Sequence, residues 1–415
     1  MKNSRIEIAG YGFITPLGNE TTSFDERLFG CISSIESETY QLPNQEPFEA
    51  GVARCKVDSD RFIAPSKLPS DRATTLAVMS VVRALENATL DLQSIDPDRV
   101  GVYWGSGMGG ASTFDTTCET LYAQERRIRP TSVVTSMPST AASEIALHVK
   151  AQGACITIAS ACASSALAIA EGVKALRSNQ LDVVIVGGSE SMLTAGVMYA
   201  WSALHVMVPV KDGQIANNIA FSKTRNGFAM GEGACAFVLQ RERTNESNNP
   251  RYFLSGFASN CDGQHMTKPN TQSQIKVMRR AIKDANLNPS DIDYINAHGT
   301  ATHQGDASEA KAIKEVFTPN RVPVSSTKSL HGHLLGASGA LELLVCMRAL
   351  DKNTLPPNAQ KMELDPEIKI NVITGENTPQ KELKHALSNS FAFGGTNACL
   401  IISKDQGNTH DTQKH

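Results

Sequence analysis

The sequence lacks a charge imbalance. Its 39 lysines and arginines stand against 42 aspartates and glutamates, a formal net charge of -3. No whole-protein field is therefore available for nucleic acid or an anionic membrane. Aromatic residues make up only 6%, with two tryptophans, while 30 glycines and 18 prolines in 415 residues are ordinary and exclude collagen-like and low-complexity classes. Nine cysteines are scattered along the chain and none forms a CxxC pair. Neither a disulfide framework nor a zinc ribbon follows, and most of the nine read as small buried hydrophobes of a reducing cytoplasm. The N-terminal MKNSRIEIAGYGFI lacks a signal-peptide pattern, because Glu7 and its glycines break the apolar run. One uncharged stretch, Ala151 to Ala170, has about the length that spans a bilayer. Gln152, Gly153 and its many small or hydroxylated residues instead predict a buried strand followed by a buried helix.

What is present is alternation. The segments RIEIAGYGFI, VGVYWGSG, ITIASA, LDVVIVGGSE, EGACAFVLQ, IDYINAHGT, VPVSSTK and TNACLIIS carry the dense β-branched content of buried strands. Between them, helical spacing runs over Arg72–Asn87, Ala161–Arg177, Ser273–Asn286, Ser308–Phe317 and Ala337–Leu350. Alternating strands and helices predict an α/β fold with covered sheets. The chain also repeats itself. VGVYWGSGMGG resembles IDYINAHGTATHQG, ITIASACASSALAIAEGVKAL resembles VPVSSTKSLHGHLLGASGALELL, and GEGACAFVLQRE resembles GGTNACLIISKD. The three pairs fall in the same order with offsets of roughly 160 to 190 residues. This predicts two duplicated halves, residues 1–248 and 249–415, joined by the polar link 241–251 and ending in a solvated tail at about 404–415.

Cys162 is the cysteine whose context suggests chemistry. It follows the strand ITIAS and opens the helix ACASSALAIAEGVKAL, so it sits against unpaired backbone N–H groups and the positive end of the helix dipole. That placement predicts a lowered thiol pKa and a nucleophile, while the plainer reading is a packed core cysteine. His298 in YINAHGTATHQGD and His333 in STKSLHGHLLGASGALE each end a strand beside glycine. The duplication brings both toward Cys162. Neutral imidazoles donate hydrogen bonds to a developing oxyanion or enolate, or relay a proton. NSFAFGGTNA, residues 389–398, is a glycine turn that offers further N–H groups to an oxyanion.

These residues carry a resemblance. SACASS around Cys162, NAHGTATHQGDASEA around His298, SSTKSLHGHLLGASGALE around Lys328 and His333, and NSFAFGGTNA are similar to the β-ketoacyl-ACP synthases, most of all the elongating synthase II type of the thiolase superfamily. With GSGMGG and NGFAMGEGA in the same order, the similarity covers nearly the whole chain. It implies a thiolase-like five-layered αβαβα fold of two duplicated halves and decarboxylative Claisen condensation of an acyl-enzyme thioester with malonyl-ACP. The matching residues are Cys162 as nucleophile, His298 and His333 as the two family histidines, Lys328 with its acidic partner Glu342, and Phe393 as the gating phenylalanine. Backbone N–H groups of Cys162 and Phe393 match the oxyanion hole, and Gly394 in the glycine turn is expected among the residues that bind substrate. Thr300, Thr302 and Thr267 match the pantetheine contacts, and Met108 the acyl-pocket lining. Arg126, Arg127 and Arg129 resemble the basic patch that receives acyl carrier protein. The resemblance further implies no metal or organic cofactor, substrates carried on phosphopantetheine, a cytoplasmic homodimer, or a heterodimer with a chain-length factor in a specialised type II polyketide or polyene system.

Departures from the family pattern bear on substrate. Ala392 stands where glycine is usual before the gate and is expected to restrict the backbone. IAFSK (219–223) replaces an RPFD-like stretch, Arg225-Asn226-Gly227 replaces RDG, Lys268 stands for a small hydroxyl, and His303 and His331 replace proline and threonine. Two rival readings use the same loops. GSGMGG (105–110) has the spacing of a dinucleotide-binding loop, but lacks an acidic residue at the end of the next strand, Glu125 lying in a charged segment instead. A metal hydrolase would draw on His298, His303, Asp306, His331 and His333, but without an HExxH motif, and with His303 and His331 expected on surface loops.

Overall fold

The computed structural model describes residues 5–43, 45–58, 62–88, 90–242, 251–318, 322–376, 378 and 382–405. The predicted boundary at 248/249, most of the polar link and residues 406–415 of the tail lie outside them. Ten strands build the framework. β1 (Ile6–Ile14), β2 (Val100–Gly105), β3 (Cys155–Ile158), β4 (Val183–Glu190) and β5 (Gly233–Arg241) come first in the chain. β6 (Arg251–Cys261), β7 (Tyr294–Asn296), β8 (Pro323–Ser325), β9 (His385–Phe391) and β10 (Thr396–Asp405) follow. Lys404 and Asp405, expected in the tail, complete β10.

The strands lie in the order β3-β2-β4-β5-β1 and then β6-β10-β9-β7-β8, with a short strand Asn371–Val372 beside β8. Each strand of the first set therefore occupies the place of the strand five later in the second. The directions repeat too: β2 is parallel to β3 and β4, β7 is parallel to β8 and β9, and the remaining neighbours among the ten are antiparallel, the short strand being parallel to β8. The three sequence pairs are the pairs β2/β7, β3/β8 and β5/β10. Among the described residues, the ladder pairs Ile6–Leu254 and Glu7–Phe253 couple the two sets across β1 and β6.

Helices α1 (Arg72–Asn87), α2 (Thr140–Val149), α3 (Ser164–Arg177), α4 (Ala195–Ala203), α5 (Thr271–Asp284), α6 (His303–Phe317) and α7 (Ser338–Lys352) complete the layers. Strand periodicity assigns the faces. On β4, Val184 and Val186 pack with residues of α3 and α7, whereas Val183 and Ile185 pack with those of α1 and α2. On β10, Leu400 and Ile402 join the α3/α7 cluster and Cys399 and Ile401 join that of α5 and α6. The result is α1/α2, sheet, α3/α7, sheet, α5/α6: the five-layered αβαβα fold. Burial of each such Val, Leu or Ile contributes about 1.5–3 kcal/mol.

Two expectations change. β3 is apolar but not buried, with Cys155 exposed and Ile156 42% exposed, because it is the last strand and has no neighbour on its outer edge. The helix expected from Ser308 begins at His303, since its first turn is polar: Asp306 accepts the Phe221 N–H and leaves no apolar period to read. Among the described residues no helix is long and apolar enough to cross a membrane.

Candidate active site

Cys162 lies in a short 3-10 turn, Ala161–Ala163, between β3 and α3. Ala161 has φ +45°, a left-handed conformation that costs an alanine about 1–3 kcal/mol. The turn is fixed by Ser164, whose Oγ accepts the Ser160 N–H and donates to the Ala161 carbonyl. Glycine at 105 lets β2 approach so closely that an added Cβ would lie 2.3 Å from the Ser165 nitrogen. The counterpart turn before α7, Leu335–Ala337, has Leu335 at φ +44°, so the duplication reproduces the strained turn but carries Gly336 where Cys162 stands.

The His333 Nε2 lies 3.1 Å from the Cys162 Sγ. Its Nδ1 accepts the Leu335 N–H at 3.3 Å and is 2.8 Å from the Ser338 Oγ, so the ring proton belongs on Nε2, facing the thiol. The His298 ring lies 5.5 Å from that of His333, and the thiol and both imidazoles bring ligand atoms within 4.8 Å of one another. Glu309 holds the His298 loop, accepting the His298 N–H at 2.9 Å, the Gly299 N–H at 2.8 Å and the Asn389 amide at 3.1 Å. Lys328 donates to the His298 carbonyl and to Glu342.

Burial dominates the electrostatics. It pushes the Cys162 thiol up to about 12, with Lys328 pulling down and Glu342 and Glu190 pushing up. Burial, then the charge of Lys328, holds His298 and His333 well below the usual imidazole range. Burial raises Glu342, and Lys328 opposes it. The resting site therefore holds a neutral thiol and two neutral imidazoles. The lowered thiol pKa expected from the helix terminus is overturned, because desolvation of a fully enclosed sulfur outweighs the dipole.

One cavity of about 400 Å³ is lined by Cys162, His298, His333, Phe393, Thr300, Thr302 and Thr267, with Lys268 and His303 also on its wall. Lys328 and Glu342 sit buried behind the histidines. The Thr300 and Thr302 hydroxyls are 3.1 Å apart. Neither the Cys162 nor the Phe393 backbone N–H donates to a carbonyl among the described residues. Ala392 is extended, at φ -106° and ψ 154°, so its Cβ imposes no strain, contrary to expectation; the left-handed torsions fall on Gly394 and Gly395. Gly394 donates its N–H to the Met266 carbonyl rather than facing the thiol. Met108 is not in this cavity but lines a second, largely apolar one. Arg126, Arg127 and Arg129 occupy an exposed irregular segment and have no acidic partner among the described residues.

The rival readings meet specific obstacles. The dinucleotide-like loop GSGMGG is already occupied: the Glu190 carboxylate accepts the Gly107 and Met108 N–H groups at 2.6 and 3.3 Å, with Gly336 adding a third at 3.0 Å. The hydrolase set is dispersed. His331 is fully buried, correcting its expected surface place, because its Nδ1 donates to the Gly332 carbonyl and its Nε2 meets the Thr327 hydroxyl. Asp306 faces Arg225 instead, and His303 is exposed. Sequence reading missed Glu309, whose carboxylate folds back on the nearby His298 loop, Glu190, whose carboxylate comes from a distant segment to cap backbone loops, and Phe228, whose ring packs edge-on against His333 at 5.0 Å.

A buried thiol beside two neutral imidazole donors suits acyl transfer between thiols, and together with the duplicated five-layered fold it defines a thiolase-like enzyme. The family model described as "Beta-ketoacyl synthase, N-terminal domain" matches residues 3–245, and its C-terminal counterpart matches residues 253–361. The chain is 31% identical over 416 residues to 3-oxoacyl-[acyl-carrier-protein] synthase 2 of Staphylococcus aureus (strain COL), covering 97% of this chain and 99% of that one. It is 33% identical over 408 residues to nodulation protein E of Rhizobium leguminosarum bv. trifolii, covering 96% and 98%. A beta-ketoacyl synthase of Burkholderia phymatum STM815 superposes with TM-score 0.84 at 28% identity, covering 97% of this chain and 100% of that one. The ishigamide ketosynthase/chain length factor, at 23% identity, shares the fold with TM-score 0.84 over 97% of this chain and 99% of that one. The chain belongs to the beta-ketoacyl synthase family. It is an acyltransferase that forms carbon–carbon bonds, condensing an acyl thioester with malonyl-ACP in chain elongation.

Proposed function

We propose that Cys162 is the residue that carries the acyl chain and that His298, His333 and Lys328 stage the condensation around it. The observation that supports this most is the 3.1 Å approach of a protonated His333 Nε2 to the Cys162 Sγ, with His298 beside it in the same cavity. In the first half-reaction the sulfur attacks the acyl thioester carbonyl. The carrier thiol leaves with the proton that Cys162 gives up. The free N–H groups of Cys162 and Phe393 stabilise the oxyanion. In the second, malonyl thioester loses carbon dioxide, and its enolate, held by hydrogen bonds from His298 and His333, attacks the acyl carbonyl. The Cys162 thiolate departs and regains a proton, and 3-ketoacyl thioester is released. Lys328, paired with Glu342, adds a fixed positive charge beside developing negative charge. Phe393 gates the passage between the two stages on the Gly394-Gly395 turn. Thr300, Thr302 and Thr267 take the pantetheine arm, and Met108 lines the acyl pocket. No metal or organic cofactor enters these steps.

Acyl carrier protein is the proposed partner, with Arg126, Arg127 and Arg129 as a docking patch whose unpaired cations suit an acidic protein. A second chain on the open edge of β3 is proposed as well: another copy, or a chain-length factor such as those in the polyketide-type neighbours. The cytoplasm is the proposed location. The test is intact-protein mass spectrometry after incubation with an acyl-ACP and then with malonyl-ACP. Cys162 should gain the acyl mass and lose it in the chase as 3-ketoacyl product forms. An acyl group that survives the chase would contradict the staged condensation.

A further inference from the structure

The second cavity has a volume of about 610 Å³ and does not reach Cys162. Two side chains line both it and the catalytic cavity: Trp201 and Leu204, one turn apart at the end of α4. The Trp201 indole stacks on Phe393, with ring centroids 6.3 Å apart and planes within 17°. Its other neighbour is Phe228, edge-on at 6.2 Å, whose ring in turn packs edge-on against His333. Trp201 is half-buried and belongs to the apolar cluster that includes Cys162, Met198 and Leu335. A wide rigid ring thus stands on the wall between the cavity of Cys162 and this second, largely apolar one.

Resting on the ketosynthase reading, we propose that Trp201 is a specificity-determining partition for acyl-chain length. A short acyl group on Cys162 fits within the catalytic cavity with the indole in place. A long saturated chain enters the apolar cavity past Met108 and Phe114 only when the indole leaves its stack on Phe393. Stacked aromatic pairs contribute about 0.5–1.5 kcal/mol beyond their buried area, so long chains meet a barrier that short ones do not. The same stack couples the partition to the proposed gate: movement of Phe393 removes the surface that holds Trp201.

The experiment follows mass addition to the intact protein with butyryl-pantetheine and dodecanoyl-pantetheine. Wild type should load butyryl about tenfold faster or more than dodecanoyl, a discrimination within the reach of an apolar pocket. Trp201→Leu should bring the two rates within about threefold by speeding the long chain. Trp201→Phe, which keeps a ring against Phe393, should stay near the wild-type ratio. Equal loading of both chains by wild type overturns the proposal without any variant, as does an unchanged ratio in a folded Trp201→Leu protein. If neither thioester loads any of the proteins, the acyl-enzyme reading itself fails and the partition with it.

Discussion

At Cys162, two effects of opposite sign compete. The helix terminus and Lys328 favour the thiolate, while full burial and the carboxylates of Glu342 and Glu190 favour the thiol. Burial wins, so the thiol proposed as the nucleophile rests protonated. The sign gives a pH expectation. With the thiol raised to about 12, the thiolate fraction at neutral pH is small and grows with each added unit. Alkylation by iodoacetamide, followed by peptide mapping of Cys162, should accelerate about tenfold per pH unit between pH 7 and 9. A plateau below pH 8 would show that the dipole and Lys328 prevail. Cys162, His298, His333 and Lys328 were legible in the sequence because each sits in a short loop with its own local pattern. Glu190 and Phe228 were not, since each acts on a loop far away in the chain and only folding brings them together; Glu309 lies just past its own loop, but nothing in the local pattern shows that α6 turns its carboxylate back onto the His298 and Gly299 N–H groups.

Elements set the reach of these residues. The turn that presents Cys162 depends on how closely α3 approaches β2, and that approach depends on Gly105. A Cβ there would lie 2.3 Å from the Ser165 nitrogen, against backbone that cannot rotate away. Gly105→Ala should destabilise the fold by about 1–3 kcal/mol, the usual cost of overpacking, and shift α3 enough to slow Cys162 loading. Urea denaturation paired with the mass assay checks both; wild-type stability and loading together would show that the approach tolerates a methyl group. α1, α3, α5 and α7 were legible from their periodicity; the polar first turn of α6 hides its start, and α2 and α4 were not read from the sequence. β3 was misread because an apolar strand at a sheet edge has the same composition as one in the centre.

Across the whole molecule, the duplication explains more than the length. Strand order, strand direction and even the strained turn before α3 recur before α7, yet only the first copy places a cysteine in that turn and only the second carries His298 and His333. Cys162 and the two histidines therefore come together where the copies meet, at the α3/α7 layer. The weak sequence pairs disclosed this plan because they fall at matching strands, although the two-residue seam between β1 and β6 has no sequence signature. The outer edge of β3 remains open, and Ile156, Val133, Val134, Met137 and Leu147 are exposed in the isolated chain. An apolar strand edge of this kind invites pairing with another chain. Sedimentation equilibrium should give twice the monomer mass, and Ile156→Glu should shift the protein toward monomer; a wild-type monomer at micromolar concentration would leave the edge unexplained.

The identity of the acylated atom tests the central claim most directly. Wild type and Cys162→Ala are each incubated with an acyl-ACP, and the intact mass and its site are measured. Wild type should gain one acyl group at Cys162, and Cys162→Ala should gain none. Covalent acylation that persists in Cys162→Ala, or that maps to another residue in wild type, would contradict the assignment of Cys162 as the nucleophile.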